Sequence, residues 1–291
     1  MKIIKRSSGI IYPKTGERFL VLFLDAGGSS PIICSLYPRV SGGGCIFALP
    51  SQKGCSVGCT FCSVPKYIDN LSGSDILEII CLLEENAHVA GVDLAGQNKI
   101  CFVKGGELFQ SKNFSEILHV ITQKHSDLKI STVFPKGTIV RNNLETFMEF
   151  CELFPKERSI SLQFSALSTS EEARGRITKH PLLSFSDVGA LGEKFFKLRG
   201  RKITLSLTAT DDLFCQPEDI LTTLSPSYFA IRVYPYKKNA RHLTPMNVVT
   251  CTFMERRFSE LGYDVIPCHN EYEREMGYFD ENNQILKELS F

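Results

Sequence analysis

The stretch Gly54-Cys55-Ser56-Val57-Gly58-Cys59-Thr60-Phe61-Cys62, with the apolar run Cys45-Ile46-Phe47-Ala48-Leu49-Pro50 ahead of it, decides how the rest of the chain reads. Three cysteines stand at spacings of four and three in a short glycine-containing loop. Three thiolates can hold a metal centre and leave one coordination position open, and an open position is where a metal does chemistry. A structural zinc site wants four closed ligands and usually pairs two short Cys or Cys/His knuckles. No second knuckle is present, and none of the six histidines completes an evident spacing. An iron–sulfur cluster held by Cys55, Cys59 and Cys62 is therefore the preferred reading, with zinc or metal-free thiols as alternatives.

Size and composition set the frame for that loop. The chain has 291 residues, 43% hydrophobic and 22% charged, with a formal net charge of +1. This is ordinary globular composition with a sizeable core. A near-zero net charge gives no global attraction to nucleic acid. The start Met1-Lys2-Ile3-Ile4-Lys5-Arg6 has too little apolar length for a signal peptide. No apolar run approaches the roughly 20 residues that span a bilayer. A cytoplasmic location without membrane partners is the expectation. Of the eleven cysteines, the eight outside the loop are scattered singly in mostly apolar segments and read as small buried hydrophobes.

Along the chain, residues 1 to about 50 read as short strands. Phe19–Leu24 and Pro31–Leu36 flank the turn signal Asp25-Ala26-Gly27-Gly28-Ser29-Ser30 and suggest a hairpin. From the cysteine loop onward, strands and helices alternate. Strands are expected over 99–104, 128–134, 159–165, 203–208, 228–234 and 263–267. Helices are expected near 73–90, 114–124, 142–153, 185–199, 217–224 and 248–261, with Ser72 or Ser74 capping the first. That rhythm implies parallel βαβ units, in an open doubly wound sheet or an incomplete barrel. Periodicity alone does not choose between them. In both, reactive loops lie beyond the C-terminal ends of the strands, an edge that suits the cysteine loop, Gly105-Gly106-Glu107, Ser131 and Ser161.

The cysteine loop, with aromatic Phe61 just before its last cysteine, resembles the radical S-adenosylmethionine (radical SAM) superfamily. Further segments are similar to one branch of it, the 23S ribosomal RNA adenine methyltransferases (RlmN/Cfr-like). Ser51-Gln52-Lys53-Gly54-Cys55 resembles that branch's Ser-Gln-Val-Gly-Cys. Gly105-Gly106-Glu107-Leu108 resembles its Gly-Met-Gly-Glu-Pro turn, with Leu108 in place of proline. Ile130-Ser131-Thr132 and Ile160-Ser161-Leu162-Gln163 resemble its Val-Ser-Thr-Ser and Ile-Ser-Leu-His segments. The resemblance implies an α/β fold, a partial (β/α)6 TIM-like barrel over 45–291 with a short N-terminal β-hairpin extension over 1–44. It implies a [4Fe-4S] cluster on Cys55, Cys59 and Cys62, and S-adenosylmethionine held by Phe61, Gly105, Gly106, Glu107, Ser131, Ser161, Leu162 and Gln163. Glu107 would face the cofactor's ammonium. An electron donor such as flavodoxin or ferredoxin is implied as a partner.

The departures matter as much as the matches. The methyltransferases use two cysteines outside the cluster. The first lies seven residues before the first cluster cysteine, where this chain has Ala48, and the second falls near Glu275-Met276-Gly277. Neither alanine nor methionine supplies a thiolate, and Cys45 and Cys268 stand in the wrong register. The branch's asparagine after the sixth strand falls near Lys237. Its helical RNA-associated domain has no counterpart in these 291 residues, and no lysine/arginine stripe with interleaved aromatics replaces it. Arg174, Arg176 and Lys179, and Lys237, Lys238, Arg241 and His242, are expected at the mouth, where they would receive an anionic substrate or form a solvated rim. The expected activity is reductive cleavage of S-adenosylmethionine, then hydrogen abstraction from a small molecule or nucleotide rather than folded RNA. The alternatives are an RNA methyltransferase with a different methyl acceptor, and a non-catalytic metal-binding or interaction protein.

Overall fold

The computed structural model describes residues 1–11, 18–25, 27, 31–39, 43–62, 64–103, 105–124, 126–210, 215–235 and 248–266. The chain divides into two compact units. The first is Met1–Ser56, Val64–Ser131 and Gly137–Ser161, and the second is Val57–Ser63, Thr132–Lys136 and Leu162–Phe291.

In the first unit, β1 (Lys2–Ile11), β2 (Arg18–Asp25), β3 (Ile32–Pro38) and β4 (Cys45–Leu49) run antiparallel in that order. The hairpin expected from 19–24 and 31–36 is β2–β3, and β1 adds a third strand that its mixed Lys/Ser composition did not announce. Leu20, Leu22 and Leu24 of β2 are fully buried, and Val21 and Phe23 nearly so. Both faces of β2 are thus covered, which explains its continuous apolar run where a half-exposed strand would alternate. The order continues in parallel through β7 (Lys99–Phe102) and β8 (Asp127–Thr132), with Ile46 beside Lys99 and Ile100 beside Leu128. The two-residue strands β5 (Gln52–Lys53) and β6 (Asp69–Asn70) form a separate antiparallel pair between β4 and the first helix.

Helix α1 (Gly73–Ala87) buries Ile76, Ile79, Ile80, Leu83 and Ala87, the spacing of one helical face. Ser72, rather than Ser74, caps it: its hydroxyl accepts the Asp75 N–H and the Asp75 carboxylate accepts the Ser72 N–H. Helices α2 (Phe114–Gln123) and α3 (Thr138–Leu153) follow β7 and β8. Asp127, nearly buried at the start of β8, accepts the Ser159 N–H at 2.9 Å and pairs with Arg39 at 3.2 Å. The Leu128 N–H then donates to the Ser159 carbonyl, placing the start of β9 (Ile160–Ser165) beside β8.

β9 passes from the first unit into the second at Leu162. There it runs parallel to β10 (Ile203–Ala209), which is followed in parallel by β11 (Phe229–Pro235) and β12 (Asp264–Val265). Helices α4 (Glu171–Ile177) and α5 (Phe185–Arg199) connect β9 to β10, and α6 (Val248–Glu260) precedes β12. Ser184 and Asp187 form a second reciprocal cap at the start of α5, and left-handed Gly200 ends it. Two expectations are corrected. The helix expected near 217–224 is a four-residue 3-10 turn, Pro217–Ile220, closed by i to i+3 bonds such as Leu221 N–H to the Glu218 carbonyl. Helix α4 is not among the expected helices, because seven residues carry too few apolar positions to show a period. The tail beyond 266 lies outside the described residues.

Alternation of strand and helix thus gives a mixed α/β fold with parallel strands. Its packing is tight where α5 meets β11: a Cβ added at Gly192 would run into the buried ring of Phe229. Gly192→Val therefore destabilises the protein by about 3 kcal/mol, read as a lowered midpoint in thermal or denaturant unfolding.

Candidate functional site

The residues that lead into the cysteine loop are fixed by the first unit. After β4, Ser51 donates its N–H to the Gly105 carbonyl at 2.6 Å and its hydroxyl reaches the same oxygen at 3.3 Å. The β5–β6 pair and the Cys55 N–H, which donates to the Pro65 carbonyl at 2.9 Å, close the loop at its neck. Gly54 has φ +80°, and a Cβ there would strike the Lys66 carbonyl, so only glycine fits.

The Gly-Gly-Glu turn lies against this neck. Gly106 has φ +87°, and a Cβ on it would stand 2.6 Å from the Gln52 Cβ. Glu107 is 3% exposed, so it is a buried carboxylate rather than a solvated turn residue. Its Oε1 accepts the Phe109 N–H at 3.3 Å, capping the short turn Leu108–Gln110. Burying a carboxylate is costly unless hydrogen bonds or a cation compensate it. A carboxylate at this place is chemically suited to an ammonium ligand.

The tip of the loop, Val57–Ser63, belongs to the second unit. The Thr60 N–H donates to the Ile177 carbonyl at 2.8 Å, the Lys179 N–H donates to the Val57 carbonyl, and the Cys62 N–H closes a turn onto the Cys59 carbonyl at 3.1 Å. The end of α4 and the segment just after it therefore support the loop around Cys59 through Val57 and Thr60. Arg174 on α4 corrects the expectation of a basic rim: it is 1% exposed. Its guanidinium lies over the rings of Phe164 and Phe185, at 4.8 and 4.6 Å, and donates to the Leu183 and Val133 carbonyls. Burial lowers its pKa to about 10, with Glu171 only partly opposing, so the group stays charged at neutral pH. Arg174 holds protein to protein, while Arg176 and Lys179 are exposed. Lys237, Lys238, Arg241 and His242 lie outside the described residues.

Ser131 follows the last β8 residue paired with β7 and is half-buried. Ser161 and Gln163 occupy the second and fourth positions of β9 rather than its end, which is Ser165. The pleat puts Ser161 and Gln163 on one face, whereas Leu162 points to the other with Ile160 and Phe164, in the apolar layer. Leu162 therefore offers a ligand only its backbone. Phe61 is half-buried in the loop.

Cys34, Cys45, Cys101, Cys151 and Cys251 are buried as expected, while Cys81 and Cys215 are half-exposed like Cys55, Cys59 and Cys62, so clustering in one loop rather than burial sets the three apart. Among the described residues, no three His, Cys, Asp or Glu side chains are gathered closely enough to hold a metal ion. The donor chemistry still fits an iron–sulfur cluster: three accessible thiols in one loop, with main-chain bonds fixing the neck and the tip. Cys45 does not qualify as a substitute nucleophile. It donates its thiol hydrogen to the Asp93 carbonyl at 2.8 Å, and burial, aided by Asp93, raises its pKa to about 11. Ala48 is fully buried in β4. Cys268 and Glu275-Met276-Gly277 lie outside the described residues. Iodoacetamide at pH 8 is expected to label Cys55, Cys59 and Cys62 in native metal-free protein and to spare Cys45 and Cys34, as read by peptide mass spectrometry.

No protein-family model matches the chain, and no curated protein sequence does. Among solved structures it is similar to a radical SAM methyltransferase from Sphaerobacter thermophilus, with a TM-score of 0.72 and 16% identity over 91% of this chain and 76% of that one. It is also similar to Streptococcus suis SuiB, with a TM-score of 0.52 and 13% identity over 77% of this chain and 51% of SuiB. SuiB bound to S-adenosylmethionine gives a TM-score of 0.50 at 13% identity, over 77% and 52% of the two chains. The likeness to SuiB thus spans about half of that protein. What these structures share with the chain is architecture: it has the fold of radical SAM enzymes.

Proposed function

We propose that this protein is a radical SAM enzyme in which Cys55, Cys59 and Cys62 hold a [4Fe-4S] cluster and Glu107 binds the ammonium of S-adenosylmethionine. The observation that carries the reading is the cysteine spacing directly after β4, with the buried Glu107 turn hydrogen-bonded to the same neck through Ser51. Cys55, Cys59 and Cys62 would hold such a cluster, and the chemistry it would supply is one-electron reduction of S-adenosylmethionine for hydrogen abstraction from a substrate. The chain's own part is to bind, orient and shield. Gly105 and Gly106 let the main chain approach the ligand closely. Ser131, Ser161 and Gln163 supply polar groups on strand faces, the Leu162 main chain adds another, and Phe61 flanks the last cysteine.

The substrate side rests on less. Exposed Arg176 and Lys179 near the loop's support favour an anionic small molecule or nucleotide. The electron would come from a flavodoxin- or ferredoxin-like donor. A second reading, methyl transfer, is favoured by the likeness to a radical SAM methyltransferase. The buried Ala48 and the masked thiol of Cys45 argue against the two-cysteine route, so methyl transfer would need another acceptor.

Anaerobic reconstitution is expected to yield about four irons per chain and a broad absorbance near ~400 nm. With reductant and S-adenosylmethionine, 5′-deoxyadenosine accumulates. Cys59→Ala loses both the iron and the product. Glu107→Ala keeps the iron and weakens S-adenosylmethionine binding by about tenfold or more. Absence of iron sinks the cluster; iron without 5′-deoxyadenosine leaves a metal-binding protein instead of an enzyme. Labelled methyl found in ribosomal or transfer RNA would replace the hydrogen-abstraction reading with the methyltransferase one.

A further inference from the structure

Gln52 sits at the neck of the loop, 1% exposed, with its side chain bonded on every side. Its Oε1 receives the Glu107 N–H at 3.0 Å, the Ser56 N–H at 3.2 Å and the Ser56 hydroxyl at 3.0 Å. The Ser56 hydroxyl also meets the side-chain amide of Gln110 and shares its one hydrogen between the two. The Gln52 Nε2 donates to the Asn70 Oδ1 at 3.0 Å, and the Asn70 Nδ2 donates to the Tyr67 hydroxyl at 3.0 Å. A single carbonyl oxygen thus joins the residue after Cys55 to the main chain of Glu107. All of these residues belong to the first unit.

We propose that Gln52 is a positioning residue for S-adenosylmethionine, its amide locking the Glu107 turn to the Cys55 arm of the loop so that carboxylate and thiolate keep one spacing. This rests on the roles given above to Cys55 and Glu107. The chemistry selects glutamine. The site needs an acceptor for three donors and, at the other end of the same planar group, a donor for Asn70. Asparagine is one methylene too short, glutamate lacks the donor, and methionine fills the volume with neither. The turn cannot move away to compensate, because Gly106 packs directly on the Gln52 main chain and Cβ. Buried donors that lose their acceptor re-solvate by shifting, and here the shift displaces Glu107. Gln52 does not touch the ligand in this arrangement; it acts through Glu107.

The test separates binding from cluster content. Gln52→Met, reconstituted anaerobically, is expected to hold wild-type iron and sulfide, because its three cysteines are intact. Its affinity for S-adenosylmethionine, measured by equilibrium dialysis, falls about ten- to a hundredfold. The change that S-adenosylmethionine produces in the electron paramagnetic resonance spectrum of the reduced wild-type cluster is lost with it. Gln52→Glu, which keeps the acceptor and lets the Asn70 amide turn to donate, recovers binding to within about fivefold of wild type. Hydrogen–deuterium exchange rises together at residues 55–57 and 105–109 in the methionine variant and not in the glutamate one. If Gln52→Met does not fold, Gln52→Asn withdraws the same oxygen with the amide retained and is expected to show the same split. Wild-type affinity in a folded Met or Asn variant, or equal loss of iron and binding, overturns the proposal. A wild-type protein that takes up no cluster, or binds no S-adenosylmethionine, overturns the functional reading and the proposal with it.

Discussion

A buried amide oxygen with three donors around it, Gln52 Oε1, is the constraint on which the first unit's functional edge depends. Strand β4 ends at Leu49, and the chain must turn away from the sheet while its polar main chain stays satisfied. Ser51 meets that need by bonding the Gly105 carbonyl, and Gln52 by bonding the Glu107 N–H. Strands β4 and β7 pair up to Leu49 and Phe102, and beyond those ends the Ser51 main chain and the Gln52 side chain carry the connection on. Glycines at 54 and 106 are the corollary, since each has a left-handed backbone pressed against neighbouring main chain.

The second unit solves a related problem with a cation. Arg174 brings a guanidinium into a place where water cannot follow, between two aromatic rings. Among the described residues no carboxylate bonds to it; the carbonyls of Val133 and Leu183 receive its hydrogens instead. Those carbonyls belong to the segments after β8 and before α5, so one side chain ties two pieces of irregular chain to α4. The end of α4 and the stretch that follows it support the tip of the cysteine loop through Ile177 and Lys179. In the first unit the loop is thus held partly by a buried side-chain amide, and in the second by main-chain hydrogen bonds.

Much of this was legible in advance. The 3.6-residue spacing of Ile76, Ile79, Ile80 and Leu83 gave α1, and the alternation of such segments with β-branched runs gave the parallel strands. The cysteine spacing and the Gly-Gly-Glu turn marked the edge where the site would be sought. Short elements escaped: β5, β6 and α4 have two to seven residues, too few for a period to emerge. The status of Arg174 escaped for another reason. A charged residue flanked by Glu171, Glu172 and Arg176 reads as solvent-facing, and only the rings of Phe164 and Phe185, distant in sequence, overturn that.

The sequence by itself determined what local chemistry determines: the type of the longer elements, a serine cap at 72 or 74, and a loop whose three thiols suit a cluster. Tertiary structure decided which polar groups lie inside. Glu107 is a buried carboxylate, Cys45 a buried thiol bonded to the Asp93 carbonyl, and Gln52 a fully enclosed amide rather than one more polar residue in a loop. The physical reason is that burial and hydrogen-bond satisfaction are set by partners far along the chain. Gln52 lies 55 residues from Glu107, and no pattern within a window of the sequence carries that distance.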